Sequence, residues 1–151
     1  MRFIDDDIRQ ELTLDADPGD PKTVWTIQRL TYRQTLDVER EAGRAPLRGL
    51  TLFTRAHDAA DSAAAVAALD DEDRAAYDAA LNWLADYNFA VCVRGVVAID
   101  GRDVDEATCR RMLDRMRPTN VVRSVCSELA AKIASAGDDD EKKAPSGSAV
   151  G

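Results

Sequence analysis

Residues 70–99 read DDEDRAAYDAALNWLADYNFAVCVRGVVAI. Asp70-Asp71-Glu72-Asp73 open the stretch with acid, and negative charge on a first helical turn opposes the positive end of the macrodipole. Tyr77, Leu81, Leu84, Asn88 and Val91 follow at 4-3-4-3 spacing, which places all five on one helical face. Trp83, Tyr87 and Phe89 widen the apolar surface. The spacing predicts a helix from about residue 71 to 94, ended or bent by Gly95. Val96-Val97-Ala98-Ile99 then reads as an apolar exit segment and Asp100-Gly101 as a turn. An element of this length in a chain of 151 residues makes the fold class mainly α.

Toward the N-terminus the pattern changes. Ile8, Leu12 and Leu14 share a face if their segment is extended. Asp15-Ala16-Asp17-Pro18-Gly19-Asp20-Pro21 is a loop, because Pro fixes φ and Gly accepts positive φ. Thr23 to Leu30 is rich in β-branched and aromatic residues and predicts a strand with Trp25 and Ile27 on one face. Residues 1–30 therefore form a small β segment, a hairpin or strand, before the helical body. Thr31 and Gln34 have capping-box spacing and start a helix that carries Tyr32, Leu36, Val38 and Ala42. Gly43 and Pro46 end it. Residues 47–53 read as a short strand or an irregular packed segment, and the Ala-rich residues 54–69 as partly helical.

Beyond the long helix, Asp103 and Glu106 repeat the capping spacing before a helix through Val104, Thr108, Met112 and Met116. Pro118 breaks it. A last helix begins near Thr119 or Asn120 and carries Val122, Val125, Cys126, Leu129 and Ile133. The expected organisation is one domain over residues 1–136 with about four helices, then a disordered acidic and polar tail over residues 137–151. Val150 is the one large apolar residue of that tail, too little buried surface to offset the entropy of ordering it.

The side chains exclude several classes of function. The net charge is -8, from 20 basic and 28 acidic groups, and phosphate contacts need a positive field. No apolar run approaches the roughly 20 residues that span a bilayer. His57 is the sole histidine, and no nucleophile, base and orienting group assemble around it, so no enzyme activity, cofactor or metal is expected. Asp15, Asp17 and Asp20 with Gly19 echo a calcium loop faintly, but Pro18 and Pro21 interrupt it and no Glu closes it. Cys92, Cys109 and Cys126 are equally spaced, 17 residues apart, without a C-x-x-C pair, and read as small buried hydrophobes.

Positive charge concentrates in residues 102–133, which hold Arg102, Arg110, Arg111, Arg115, Arg117 and Arg123. The break at Pro118 between two helices invites a helix-turn-helix reading. The second helix offers only Arg123 and Lys132 as cations and Asn120 as a base-reading side chain, which makes a DNA-binding regulator the weakest alternative. The basic stretch reads as a solvated face on two antiparallel helices, or as a docking surface for an acidic or mixed-charge helix.

The order of elements carries a resemblance. A strand leads through Arg29-Leu30-Thr31-Tyr32 into a first helix, and a long helix passes through Asn88 to Gly101. A capped short helix, a Pro break, a terminal helix and a charged tail follow. Over about residues 22–137 this resembles the tail assembly chaperones of long-tailed bacteriophages (siphoviruses), encoded just before the tape measure protein. The resemblance implies a chaperone in virion morphogenesis that binds the tape measure protein and keeps its apolar stripes soluble until the tail tube protein surrounds it. It also implies action in the host cytoplasm and absence from the mature virion, while the acidic net charge argues against a nucleic-acid or anionic-membrane partner. Members of the family often have a frameshifted longer form, and Lys142-Lys143 is a pair that a slippery run can encode. The alternative is a small phage structural or head-tail connector protein, which would assemble alone. Candidate client-binding residues are Trp83, Tyr87 and Phe89, which occupy more of the helix than one buried face needs, together with Arg110 and Arg111.

Deletion of residues 138–151 is expected to leave the fold intact. Thermal unfolding of the truncated chain should match that of the full chain, and a large fall in Tm refutes the expectation.

Overall fold

The computed structural model describes residues 8–136; the tail and the Lys142-Lys143 pair lie outside them. Six helices and four short strands make up these residues. Strands β1 (Arg9–Leu12) and β2 (Trp25–Gln28) precede helices α1 (Tyr32–Ala42), α2 (Leu47–Asp58), α3 (Ser62–Ala67) and α4 (Asp71–Gly95). Strands β3 (Val96–Ile99) and β4 (Arg102–Asp103) follow, then α5 (Glu106–Arg115) and α6 (Thr119–Ser135). The class is mainly α with a small N-terminal β segment, as the periodicity requires.

Local chemistry sets most boundaries. Thr31 Oγ1 accepts from the Gln34 N–H at 3.1 Å, and Gln34 Oε1 accepts from the Thr31 N–H at 2.9 Å, which closes the capping box of α1. Gly43 ends that helix at φ 79°, a conformation that favours glycine. Asp70 caps α4 by accepting from the Asp73 N–H at 2.7 Å. The α5 cap is Asp105, bonded to the Thr108 N–H at 2.7 Å, and not Asp103, which β4 takes. Tyr32, expected on the apolar stripe of α1, is 80 % exposed; Val38 alone of that stripe is fully buried.

The sheet extends beyond the N-terminal segment. Its order is β1-β2-β3-β4, antiparallel throughout, so β2 lies between β1 and a strand 68 residues further on. Val96–Ile99 is therefore a central strand, not an exit segment. Asp100 and Gly101, with φ 49° and 79°, form a two-residue turn into β4, the paired positive φ of a tight hairpin. Trp25 and Ile27 are both buried in the core, whereas Ile8 falls outside β1 and is exposed. Leu14, just past β1, is completely buried.

Helix α4 is surrounded by α1, α2, α5 and α6. Tyr77, Leu81, Leu84 and Asn88 are only half-buried, while Ala90, Val91, Cys92 and Val93 are buried all round. The expected single apolar face thus gives way, in the last turns, to a fully enclosed helix.

Residues 47–53 are helical, the first part of α2, and not a strand. Gly49 brings the backbone of α2 close to α4, and Phe53 meets Tyr77 of α4 with ring centroids 6.1 Å apart. A Cβ at Gly49 would run into the Ala76 carbonyl oxygen and lie 2.9 Å from Ala80 Cβ. The α5 face also differs from expectation: Cys109 and Leu113 are buried, and Met112 is exposed. On α6, Val125, Cys126, Leu129 and Ile133 are buried as expected, with Val122 half-buried. The loop at residues 13–24 is fixed by side chains. Asp17 accepts from the Gly19 and Thr23 N–H groups, each at 2.8 Å, and Glu128 of α6 accepts from the Asp15 and Ala16 N–H groups at 3.0 and 2.9 Å. The Asp17 carboxylate is thereby a loop fastener, with both oxygens engaged.

Gly49→Ala sets a helix-propensity gain of about 1 kcal/mol against overpacking of about 1–3 kcal/mol. The backbone carbonyl at Ala76 has little freedom to retreat, so overpacking wins and urea denaturation should show a less stable protein.

Candidate functional site: an apolar groove between α4 and α6

Two adjoining cavities run along the space between α4 and α6, with Phe53 of α2 beside them. Their volumes are about 610 and 520 Å³, and they share Phe53, Leu84, Asn88 and Ser127. The groove follows α6 from Thr119 to Ala134. At 1.5 Å per residue this is roughly 22 Å, or about four turns of a bound helix.

The lining is mixed: apolar side chains run along its whole length, with polar and charged ones among them. Leu81, Phe89 and Val122 line one end, and Leu30, Val91 and Ile133 the other. Asn88 and Ser127 sit where the two cavities meet, and neither side chain makes a hydrogen bond within the described residues. An unpaired amide in an apolar groove is a fixed point of recognition, because an occupant that answers it regains a hydrogen bond and one that does not leaves it desolvated. Asp86, Asp114 and Arg123 bring charges of both signs to the Leu81 end.

The expected contact residues divide. Tyr87 lines the larger cavity and Phe89 the smaller. Trp83 lines neither: its indole N–H donates to the Gly43 carbonyl at 3.1 Å and its ring stacks on Tyr87 with centroids 5.0 Å apart. It fastens the end of α1 to α4. Arg110 lies over the Phe89 ring, 5.5 Å from the centroid, and donates to Glu41 at 2.8 Å. Arg111 is exposed and bonds Thr108 Oγ1 at 3.3 Å. The structure thus joins Phe89 to Arg110 and sets Arg111 apart. Phe53, Asn88 and Ser127 were not among the expected contacts. Phe53 stacks on His57 with centroids 6.0 Å apart, which gives that histidine a packing role.

An ion-pair cluster braces the groove from behind. Arg94, whose side chain is 9 % exposed, donates to Glu41 at 3.2 Å and to the Ala90 carbonyl at 2.9 Å, and lies 3.5 Å from Glu106. Arg110 bridges the same two carboxylates. The cluster ties α1, α4 and α5 together. Partial burial pushes the Glu41 carboxyl up, and the hydrogen bonds and charges of Arg110 and Arg94 outweigh it and hold the group below its usual range.

All three cysteines are free and buried. Among the described residues no group of three or more His, Cys, Asp or Glu is arranged to hold a metal ion, and no helix is long and apolar enough to cross a membrane. No protein-family model, curated protein or solved structure matches the chain.

Because the folded pKa of Glu41 is depressed, its contribution to stability is present above the unfolded value of 4.5 and is lost as pH falls through the folded value. Glu41→Gln should therefore cost most at neutral pH. The difference from the parent chain should shrink as pH falls below 4.5, and a pH-independent difference in denaturation midpoints counts against the cluster.

Proposed function

We propose that the chain is a non-enzymatic protein-binding module that acts as a phage tail assembly chaperone. In this reading its α4–α6 groove holds an apolar helical stripe of the tape measure protein. The observation that carries the reading is the groove itself: about four turns long, with apolar side chains along its length and the unpaired Asn88 and Ser127 at its centre. A long helical client exposes apolar stripes that aggregate when uncovered, and helix-in-groove contact covers them. The acidic excess keeps the complex soluble. The mixed charges at one end of the groove set the direction in which an amphipathic helix lies. The order of elements supports the phage assignment through its resemblance to that family. With it go action in the host cytoplasm, release as the tail tube protein polymerises, and a longer frameshifted form. The connector alternative requires self-assembly and persistence in the particle.

Co-expression with the protein encoded immediately downstream tests this. A very long helical neighbour that is insoluble alone should co-purify with this chain. Val122→Arg places a cation beside Leu81 and Phe89 at a half-buried position, and should weaken the complex roughly tenfold or more while circular dichroism stays unchanged. A chain that ignores its neighbour and forms a discrete ring by itself supports the connector instead.

A further inference from the structure

Cys92, Cys109 and Cys126 lie on three different helices, α4, α5 and α6, and the fold gathers them at one junction. The Cys92 thiol donates to the Cys126 carbonyl at 3.3 Å, which seats its sulfur against Cys126. The Cys109 thiol points at the Cys92 carbonyl from 3.9 Å. Only Cys126 lines the groove, in the wall of the 520 Å³ cavity; Cys92 and Cys109 lie fully buried behind it. The three thiols are therefore not equivalent. One borders a cavity that admits a small molecule, a second sits against it, and the third is shut away.

Their acidities differ in the same sense. The hydrogen bond from Cys92 holds the Cys126 thiol below its usual value against the effect of burial. The hydrogen bond to Cys126 and burial push Cys92 well up. Burial carries Cys109 up to about 11. The thiolate is the nucleophile, and of the three only Cys126 combines a place in the groove lining with a lowered pKa.

We propose that Cys126 and Cys92 are a dithiol site that a hydroperoxide entering the groove oxidises to a disulfide joining α4 to α6. The Cys126 sulfur attacks the peroxide, the O–O bond breaks, and a sulfenic acid forms at Cys126 as the first water leaves with the thiol proton. The Cys92 sulfur then attacks the Cys126 sulfur, the S–O bond breaks, and the hydroxyl departs with the Cys92 proton as a second water. Two thiols lose two electrons and hydrogen peroxide gains them. The crosslink lies in the wall of the binding groove, so oxidation alters the surface an occupant meets. The site stands on the positions of the three thiols and holds whichever client the groove takes.

The test uses the full chain, reduced, then treated with hydrogen peroxide under native conditions. Remaining thiols are alkylated and the bridge located by peptide mapping. The expected product is a single Cys92–Cys126 bridge, an intact mass lower by about 2 Da for the two hydrogens lost, and Cys109 alkylated. Cys109→Ser should bridge as the parent does. Cys92→Ser should stop at a sulfenic acid on Cys126 that dimedone traps. If Cys92→Ser fails to fold, mapping of the parent chain still decides. A bridge that includes Cys109, sulfenic acid forming first on another cysteine, or three free thiols after treatment overturns the proposal.

Discussion

Helix α4 passes into strand β3 between Gly95 and Val96 with no loop residue, and that junction holds the helical and sheet parts of the molecule together. Gly95 makes the junction possible. A Cβ there would lie 2.5–2.8 Å from the side chain of Ile133, so α6 can press onto the end of α4 only where the side chain is absent. The close approach then buries Cys92, Val93 and Val96 on one side and Leu129 and Ile133 on the other. Strand β3, held at a fixed angle by the helix it continues, offers its edge to β2 and brings Trp25 and Ile27 into the same core.

Where the chain's own backbone dictates the outcome, the residues announce it. Thr31 with Gln34, Gly43, Asp70 and Pro118 mark ends that concern only their immediate neighbours, and each stands where its chemistry requires. Helix α2 is different. Its closest approach to α4 is at Gly49, and Leu47, Leu50, Leu52 and Phe53 fit a short strand as well as the helix they form. Val96–Ile99 is equally silent, because a four-residue apolar run fits a strand or a buried turn of helix until its partner is known. Asp103 and Asp105 both offer a cap, and the pairing of Asp103 with Ala98 in the sheet decides between them.

The groove was legible only in part, for a related reason. Tyr87 and Phe89 stand out as surplus aromatics on a long helix, and both line it. Trp83 carries the same signal and serves another purpose, because its N–H is used by Gly43, 40 residues away. Phe53 is hidden by the misleading character of its segment. Asn88 sits within the apolar series of α4, where a polar side chain looks like an interruption; only the partner helices show that it faces an opening. The equal spacing of the cysteines has no helical or strand meaning. It becomes meaningful once three consecutive long helices each deliver one thiol to the same point.

The antiparallel pairing of Trp25 with Ile99 has a consequence for the order in which the molecule is made. Strand β2, which has β1 on one edge, must wait during synthesis for its second partner to emerge after four helices. Helices close through contacts a few residues apart, whereas this pairing closes a loop spanning most of the folded chain. The helical hairpins can thus collapse first on the ribosome, with one edge of β2 left open until α4 is complete. Sheet closure then acts as a checkpoint late in folding, and a chain cut short before residue 96 lacks the second partner of β2 and most of the central core.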